Sequence, residues 1–267
     1  MAIIGENKRG QPLLTDLYLR GRLRHDLSDA EKRELDSIVL RTFEIGPRET
    51  LVKRGDWLEH SYYIVEGVMM RHLDDKRGER QLVGVNIAGD FVDLHGYPMK
   101  RLDHSVATLT RTTVAEFAHA DLTDLIRRQP HLGRALWFST LLDAAQHREW
   151  SFRLGRLPAE GRIAHLMCEL IERSRFVGLY DGRFLSVPLL QRDYAEACGI
   201  TSVHANRSFR NLKDRGFIVT HGEGRLEIVD EVALRKLADF DGSYLYGEGE
   251  LALDELTDDK RAAQAQA

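Results

Sequence analysis

The stretch LQRDYAEACGITSVHANRSFRNLKDRGFI, from Leu190 to Ile218, constrains this chain more than any other segment. In it Ala195, Gly199 and Ala205 stand in the order A-x3-G-x5-A. Two helices that cross at a tight turn need that spacing. Ala195 lets the second helix pass closely, Gly199 can take the left-handed turn between them, and Ala205 faces the core from the second helix. Thr201 or Ser202 is placed to cap the second helix, and Phe209, Leu212 and Phe217 supply its buried stripe. Opposite that stripe stand Asn206, Arg207, Arg210 and Lys213, side chains suited to base edges and phosphates. Gly216 is expected to end the helix. FIVTHGEGRLEIV then reads as two strands around a Gly222-Glu223-Gly224 turn, the wing of a winged helix. Thr201, Ser202, Val203, Asn206, Arg207, Arg210 and Lys213 are therefore the expected contacts to double-stranded DNA. An ordinary amphipathic hairpin with a solvated basic face is the competing interpretation.

A net charge of −4 is unfavourable for a DNA binder until it is located. Between Glu227 and Asp259 there are eleven acidic residues against two basic ones, so that stretch carries −9 and the rest of the chain +5. From Gly199 to Phe217 the basic residues are Arg207, Arg210, Lys213 and Arg215, against Asp214 alone. Phosphate neutralisation depends on the local charge, so the total does not exclude DNA.

With 267 residues the chain suggests about two domains. No apolar run approaches the roughly 20 residues of a membrane helix, and MAIIGENKRG lacks the apolar core of a signal peptide, so a cytoplasmic protein is expected. Cys168 and Cys198 have no metal-ligand spacing and read as small buried apolar residues. No nucleophile with a base and orienter, phosphate-cradling glycine loop or metal motif is present. The expectation is no enzymatic activity, no catalytic residues, no metal and no cofactor.

Along the chain, SDAEKRELDSIVLRTF reads as a helix, with Ser28 and Glu31 forming a capping box. Short strand-like runs follow as far as about Ile126: ETLVKRGDW, YYIVEGVMMRHL, RQLVGVNIAGDFVDL and HSVATLTRTTVAEFA. They point to a barrel, roll or sandwich. Pro130 to Leu157 reads as one long helix, with Ala135, Phe138, Leu142, Ala145, Glu149 and Phe152 at alternating three- and four-residue steps. That spacing suits a coiled-coil seam between two chains, and also packing against the helix's own domain. The fold class is thus α+β, an N-terminal roll, a long helix and a C-terminal winged helix. The corresponding divisions are residues 1–129, 130–157 and 158–240, with an acidic, flexible tail at 241–267.

In this order the residues resemble the superfamily of the cyclic-AMP receptor protein and the fumarate-nitrate regulator. The resemblance runs from about Leu35 to Leu237. It rests on Gly55-Asp56, the run Ser61 to Gly67, Gly89-Asp90-Phe91 and Gly161-Arg162-Ile163-Ala164, together with the helix-turn-helix. It implies a jelly-roll sensor domain of the cyclic-nucleotide-binding type and a homodimer held by the long helix. It also implies an inverted-repeat DNA site and RNA polymerase as a protein partner.

Departures from the family pattern bear on the signal. Cyclic-AMP binders use Gly-Glu-Leu followed by Arg-Ser. The matching positions here are Asp93-Leu94-His95 and His104-Ser105, so the ribose-binding carboxylate becomes Leu94 and the phosphate-gripping arginine becomes His104. The Thr-Ser pair that meets adenine becomes His147-Arg148. Cyclic AMP is therefore not the expected effector, whereas another small molecule can still use His104, Ser105, His147 and Arg148. Iron-sulfur sensing needs N-terminal cysteines, and none precedes Cys168. Eleven histidines leave haem open. His25, His60, His72, His95, His104 and His119 show no ligand spacing and read as solvated or hydrogen-bonded. In the reading helix, Val203 replaces a family acid that accepts from cytosine, so the half-site is expected to differ from the usual one. Arg207 fits guanine, a phosphate or an ion pair with Asp214, and Asn206 fits adenine. A roll regulating a partner protein, with the winged helix as a docking surface and no DNA binding, is the alternative function.

Overall fold

A computed structural model describes residues 13–22 and 27–247. The chain begins with a capped helix, α1 (Asp29–Ser37), whose Ser28 and Glu31 exchange the expected capping-box hydrogen bonds. The helix is shorter than the sequence suggested. VLRTFEI is instead strand β1 (Val39–Ile45), because its β-branched and aromatic residues pair along β7 (Thr112–Ala118). The roll consists of two sheets. One has the order β1-β7-β3, with β3 at His60–Glu66. The other has the order β2-β6-β4-β5, with β2 at Thr50–Val52, β4 at Val68–Asp74, β5 at Arg80–Ile87 and β6 at Ser105–Thr108. Gly67 joins β3 to β4 at φ +101°, where a Cβ would lie 2.6 Å from the Arg111 carbonyl oxygen, so only glycine fits. A short helix, α2 (Gly96–Met99), and α3 (His119–Arg128) complete the roll.

Helix α4 (Pro130–Arg156) matches the expected long helix, with Pro130 in its first turn. Of the residues expected on its seam, only Phe152 is exposed, and the others pack on the helix's own domain. Ala135, Leu142 and Ala145 are buried against the protomer's own core, Phe138 packs on Tyr246, and Glu149 accepts from His165. The face turned to solvent carries Arg134, Trp137, Leu141, Ala144, Arg148, Ser151 and Gly155, again at three- and four-residue steps. Two such stripes can lie about 100° apart on one helix, so the spacing alone did not tell them apart.

After Leu157 and Pro158, both extended, come α5 (Ala159–Val177), β8 (Phe184–Leu185), α6 (Gln191–Cys198) and α7 (Ser202–Asp214). Strands β9 (Ile218–Thr220) and β10 (Leu226–Ile228) pair antiparallel around a turn at Gly222–Gly224, with β8 on the outer side of β10. Helix α8 (Glu231–Ala238) closes the unit. Its core is continuous with that of the roll. Val68, Met70, Leu82, Val85 and Ile87 share one apolar cluster with Ile163, Leu166, Tyr194 and Phe209. The expected flexible tail does not begin at 241. Residues 241–247 are packed, with a single helical turn at Gly242–Leu245 and Leu245 fully buried. Residues 248–267 lie outside the described residues, as does His25.

Candidate nucleic-acid interface and sensor cluster

The helix-turn-helix forms as its spacing requires. Gly199 sits at φ +60° and ψ +41°, Ala195 and Ala205 are buried, and the Tyr194 and Phe209 rings meet edge-on at 5.2 Å. Of the two capping candidates, Thr201 does the work: its hydroxyl accepts from the His204 N–H at 3.2 Å. Ser202 is the first helical residue. Phe209 and Leu212 are buried as expected, and Phe217 is half-buried. On the outer face Val203 is 80% exposed, with Asn206, Arg207, Arg210 and Lys213 beside it, all exposed. Asn206 donates to the Ser202 carbonyl at 3.1 Å. Among the described residues, Arg207, Arg210 and Lys213 have no carboxylate partner, so the alternative pairing of Arg207 with Asp214 is not formed. By contrast, Arg215 and Asn211 at the far end of α7 both bond to Glu160 of α5, at 2.7 and 3.2 Å. The helix thus presents three unpaired cations on the face that carries Val203 and Asn206, while its last turn is anchored to the body.

In the roll, the residues matching the family pocket separate into two groups. His104 is buried. Its Nδ1 bonds to Asp103 at 2.8 Å, its ring lies 5.1 Å from that of His95, and Nε2 of both rings is buried without a partner. His147 donates from Nδ1 to the Asp143 carbonyl at 2.9 Å on α4. Between the two histidines stands Arg71 of β4, 2% exposed, which donates to Asp143 at 2.5 Å and to the Val92 carbonyl at 2.7 Å. Ser105 and Arg148 do not join this cluster. The Ser105 hydroxyl accepts from the Arg54 N–H, and Arg148 points outward from α4. Burial, followed by the charge of Arg71, lowers His95 to about 3 and holds His104 below the usual imidazole range. Burial pushes the neighbouring Asp93 carboxyl up to about 7; its Oδ1 accepts from the Tyr62 N–H at 2.7 Å and its Oδ2 has no partner. Of the histidines expected to be solvated or hydrogen-bonded, His95 departs from that picture. Its Nε2 is buried without a partner, while its ring packs on that of His104, which bonds Asp103 through Nδ1. His72 and His119 are buried but bonded, to Asp74 and Ser61.

A narrow cleft runs between residues 17–22, α4 and α5, with Arg71, Asn86, His95, Asp143 and Arg173 on its walls. His104, Ser105, His147 and Arg148 do not line it. Among the described residues, no group of three or more His, Cys, Asp or Glu is placed to hold a metal, and no helix is long and apolar enough to cross a membrane.

No local signal marks the polar links that join these parts. Arg48 grips Asp193 of α6 with two bonds, at 2.6 and 2.8 Å. Buried Glu169 of α5 accepts from Trp150 of α4 at 3.0 Å, from Tyr244 at 2.9 Å and from Arg173 at 3.2 Å. Arg173 in turn reaches Asp90 of the roll at 2.6 Å. Each of these residues is unremarkable in sequence, since its partner lies far along the chain.

Comparison with known proteins adds to this geometry. The family model of the cyclic nucleotide-binding domain matches residues 42–129, and that of the Crp-like helix-turn-helix domain matches residues 161–237. The transcriptional activator protein FnrL of Cereibacter sphaeroides is 28% identical over 209 residues, which cover 76% of this chain and 82% of that protein. The nitrogen fixation regulation protein FixK of Bradyrhizobium diazoefficiens is 29% identical over 213 residues, covering 76% and 87%. Among solved structures, FixK2 from Bradyrhizobium japonicum superposes with a TM-score of 0.68 at 20% identity, over 74% of this chain and 96% of that one.

Proposed function

The chain belongs to the Crp/Fnr superfamily of DNA-binding transcription regulators, and on that premise we propose that it works as a homodimer reading an inverted repeat through the major groove. The observation that carries this is the outer face of α7, where Val203, Asn206, Arg207, Arg210 and Lys213 are exposed and the three cations have no carboxylate partner among the described residues. Residues nearest a recognition helix's start go deepest into the groove. Thr201, Ser202, Val203, Asn206 and Arg207 are therefore assigned to the groove, with Val203, Asn206 and Arg207 on base edges, and Arg210 and Lys213 to phosphates. The dimer forms along the outer stripe of α4, where Trp137 and Leu141 are 65% and 50% exposed. Residues 1–129 act as the sensor, 130–157 as the dimer helix and 158–240 as the DNA-binding unit.

The sensor does not use cyclic AMP. Leu94 and His104 stand where the ribose and phosphate partners would be, and Arg71 is committed to Asp143 and Val92. Calorimetry with cyclic AMP is expected to show no heat at physiological concentration. An effector, where one is used, enters the cleft beside Arg71 and His95. The protein is cytoplasmic, acts without catalysis and works with RNA polymerase.

Selection from random-sequence duplexes with the purified full chain tests the central reading. Enrichment of an inverted repeat with half-sites about one helical turn, roughly 34 Å, apart is the expected result. No enrichment over the starting pool would overturn it and favour a protein-docking role.

A further inference from the structure

Residues 239–247 continue beyond the Crp-like helix-turn-helix match, which ends at residue 237, and they are tied down along their length. Phe240 and Tyr244 flank the buried His165 ring of α5, with ring centroids 5.1 and 6.3 Å from it. The Tyr244 hydroxyl donates to Glu169 at 2.9 Å. Leu245 is fully buried, and its carbonyl accepts from the Arg22 guanidinium. Tyr246 holds a left-handed backbone at φ +49° and sets its ring edge-on to Phe138 of α4, at 6.0 Å. Gly247 pairs with Arg22 as a β-bridge, so close to Phe176 that a Cβ would fall 2.6 Å from its ring. The segment leaves α8, crosses α5 and ends on α4. It therefore ties α5 to α4 at Phe138 and Phe176, far along both helices from the Leu157–Pro158 junction that connects them.

We propose that residues 239–247 are a strap that holds the DNA-binding unit at one angle on α4 and so fixes the half-site spacing the dimer accepts. The second half rests on the dimeric reading above. With α4 along the two-fold axis, the angle between α4 and α7 sets the separation of the two recognition helices. Inserting one base pair moves a half-site by about 3.4 Å and turns it by roughly 34° around the duplex. The shared apolar core and the Arg48–Asp193, Glu169–Trp150 and Arg173–Asp90 links also hold the unit, but none of them reaches Phe138, so without residues 239–247 its angle on α4 is less constrained and it can follow more of that movement. Tyr244 and Tyr246 are the positioning residues, since each reaches a different helix.

The test compares the full chain, a truncation after Gly247, a truncation after Ala238, and a full-length variant carrying Leu245→Ala and Tyr246→Ala in case the shorter truncation does not fold. Amide exchange through residues 154–160 is measured without DNA, and affinity is measured for the selected inverted repeat with its spacer unchanged or altered by one base pair. The full chain and the Gly247 truncation are expected to protect the junction and to prefer the unaltered spacer by about tenfold or more. The two strap-disrupted forms are expected to exchange about tenfold faster and to lose most of that preference. Unchanged exchange and unchanged preference in both disrupted forms would overturn the proposal, as would the Gly247 truncation behaving like them. Failure to select any DNA sequence would overturn the reading of the preceding subsection instead, and the exchange rates would still decide whether the segment is a strap.

Discussion

Arg48 of the roll and Asp193 of the first helix of the helix-turn-helix form a two-pronged ion pair that fastens one unit to the other. Asp193 is fully buried and also accepts from the Leu190 N–H at the start of α6, at 2.8 Å, so a single carboxylate caps the helix and receives the roll. Arg48 keeps a φ of +66°, a backbone region that favours glycine. The strain of that conformation is the cost of aiming its guanidinium at α6.

Arg48→Gly separates these effects, because it relieves the backbone while deserting a buried charge. Strain relief is worth about 1–2 kcal/mol and breaking a buried pair about 3–5 kcal/mol, so a net loss of about 2 kcal/mol is expected. Urea unfolding at fixed protein concentration measures it, since a dimer's stability depends on concentration. A variant more stable than the parent would show that the pair contributes nothing.

Trp137→Glu and Leu141→Glu on the outer stripe of α4 are expected to leave a folded monomer, since neither side chain is buried in its own protomer. Leu142→Glu, one position on and 6% exposed, is expected to destabilise the fold itself by several kcal/mol, on the order of 3 or more. Light scattering with circular dichroism distinguishes the two outcomes. Dimeric mass in both outer-stripe variants would place the interface elsewhere.

Asp93 gives the chain a pH dependence of definite sign. Burial raises its carboxyl from 3.8 to about 7. Between those values the folded chain keeps a proton that the unfolded chain has released, so stability falls as pH rises through that window. Asp93→Asn preserves the acceptor for the Tyr62 N–H and removes the effect. It should therefore gain on the parent by about 2–4 kcal/mol between about pH 4 and about pH 8. His165 acts in the opposite direction. Burial lowers it from 6.5 to about 4, so its contribution is lost as pH falls through that range. Unfolding curves that differ by a constant amount at every pH would contradict the role given to Asp93.

The helix-turn-helix was legible because its geometry depends on residues close in sequence. Ala195, Gly199 and Ala205 constrain one another across ten positions, and the Ser28–Glu31 capping box works in the same way. The expectation of helix over VLRTF failed because a strand partner at residues 112–118 decided it, and local pattern does not contain that partner. The spacing on α4 did not decide between a seam and packing on the helix's own domain, because both faces carry the same period. What was least legible is what joins the units. Arg48–Asp193, Arg71–Asp143 and Glu169–Tyr244 link positions 145, 72 and 75 residues apart, and no local signal announces them. The segment at 241–247 groups with the acidic stretch that follows it, although it carries Tyr244, Leu245 and Tyr246. Only its contacts with His165, Phe138 and Phe176 show that it packs.

The most direct test of DNA reading through α7 is a random-sequence selection repeated with Arg207→Ala and Lys213→Ala beside the parent chain. Arg207→Ala is expected to cost about 1–3 kcal/mol on the preferred duplex and to relax preference at one base position in each half-site. Lys213→Ala should weaken all sequences about equally and make the salt dependence shallower, because a phosphate contact carries no base information. A selected inverted repeat that is unchanged in every base preference when Arg207 is replaced would contradict the assignment of the outer face of α7 as the surface that reads DNA.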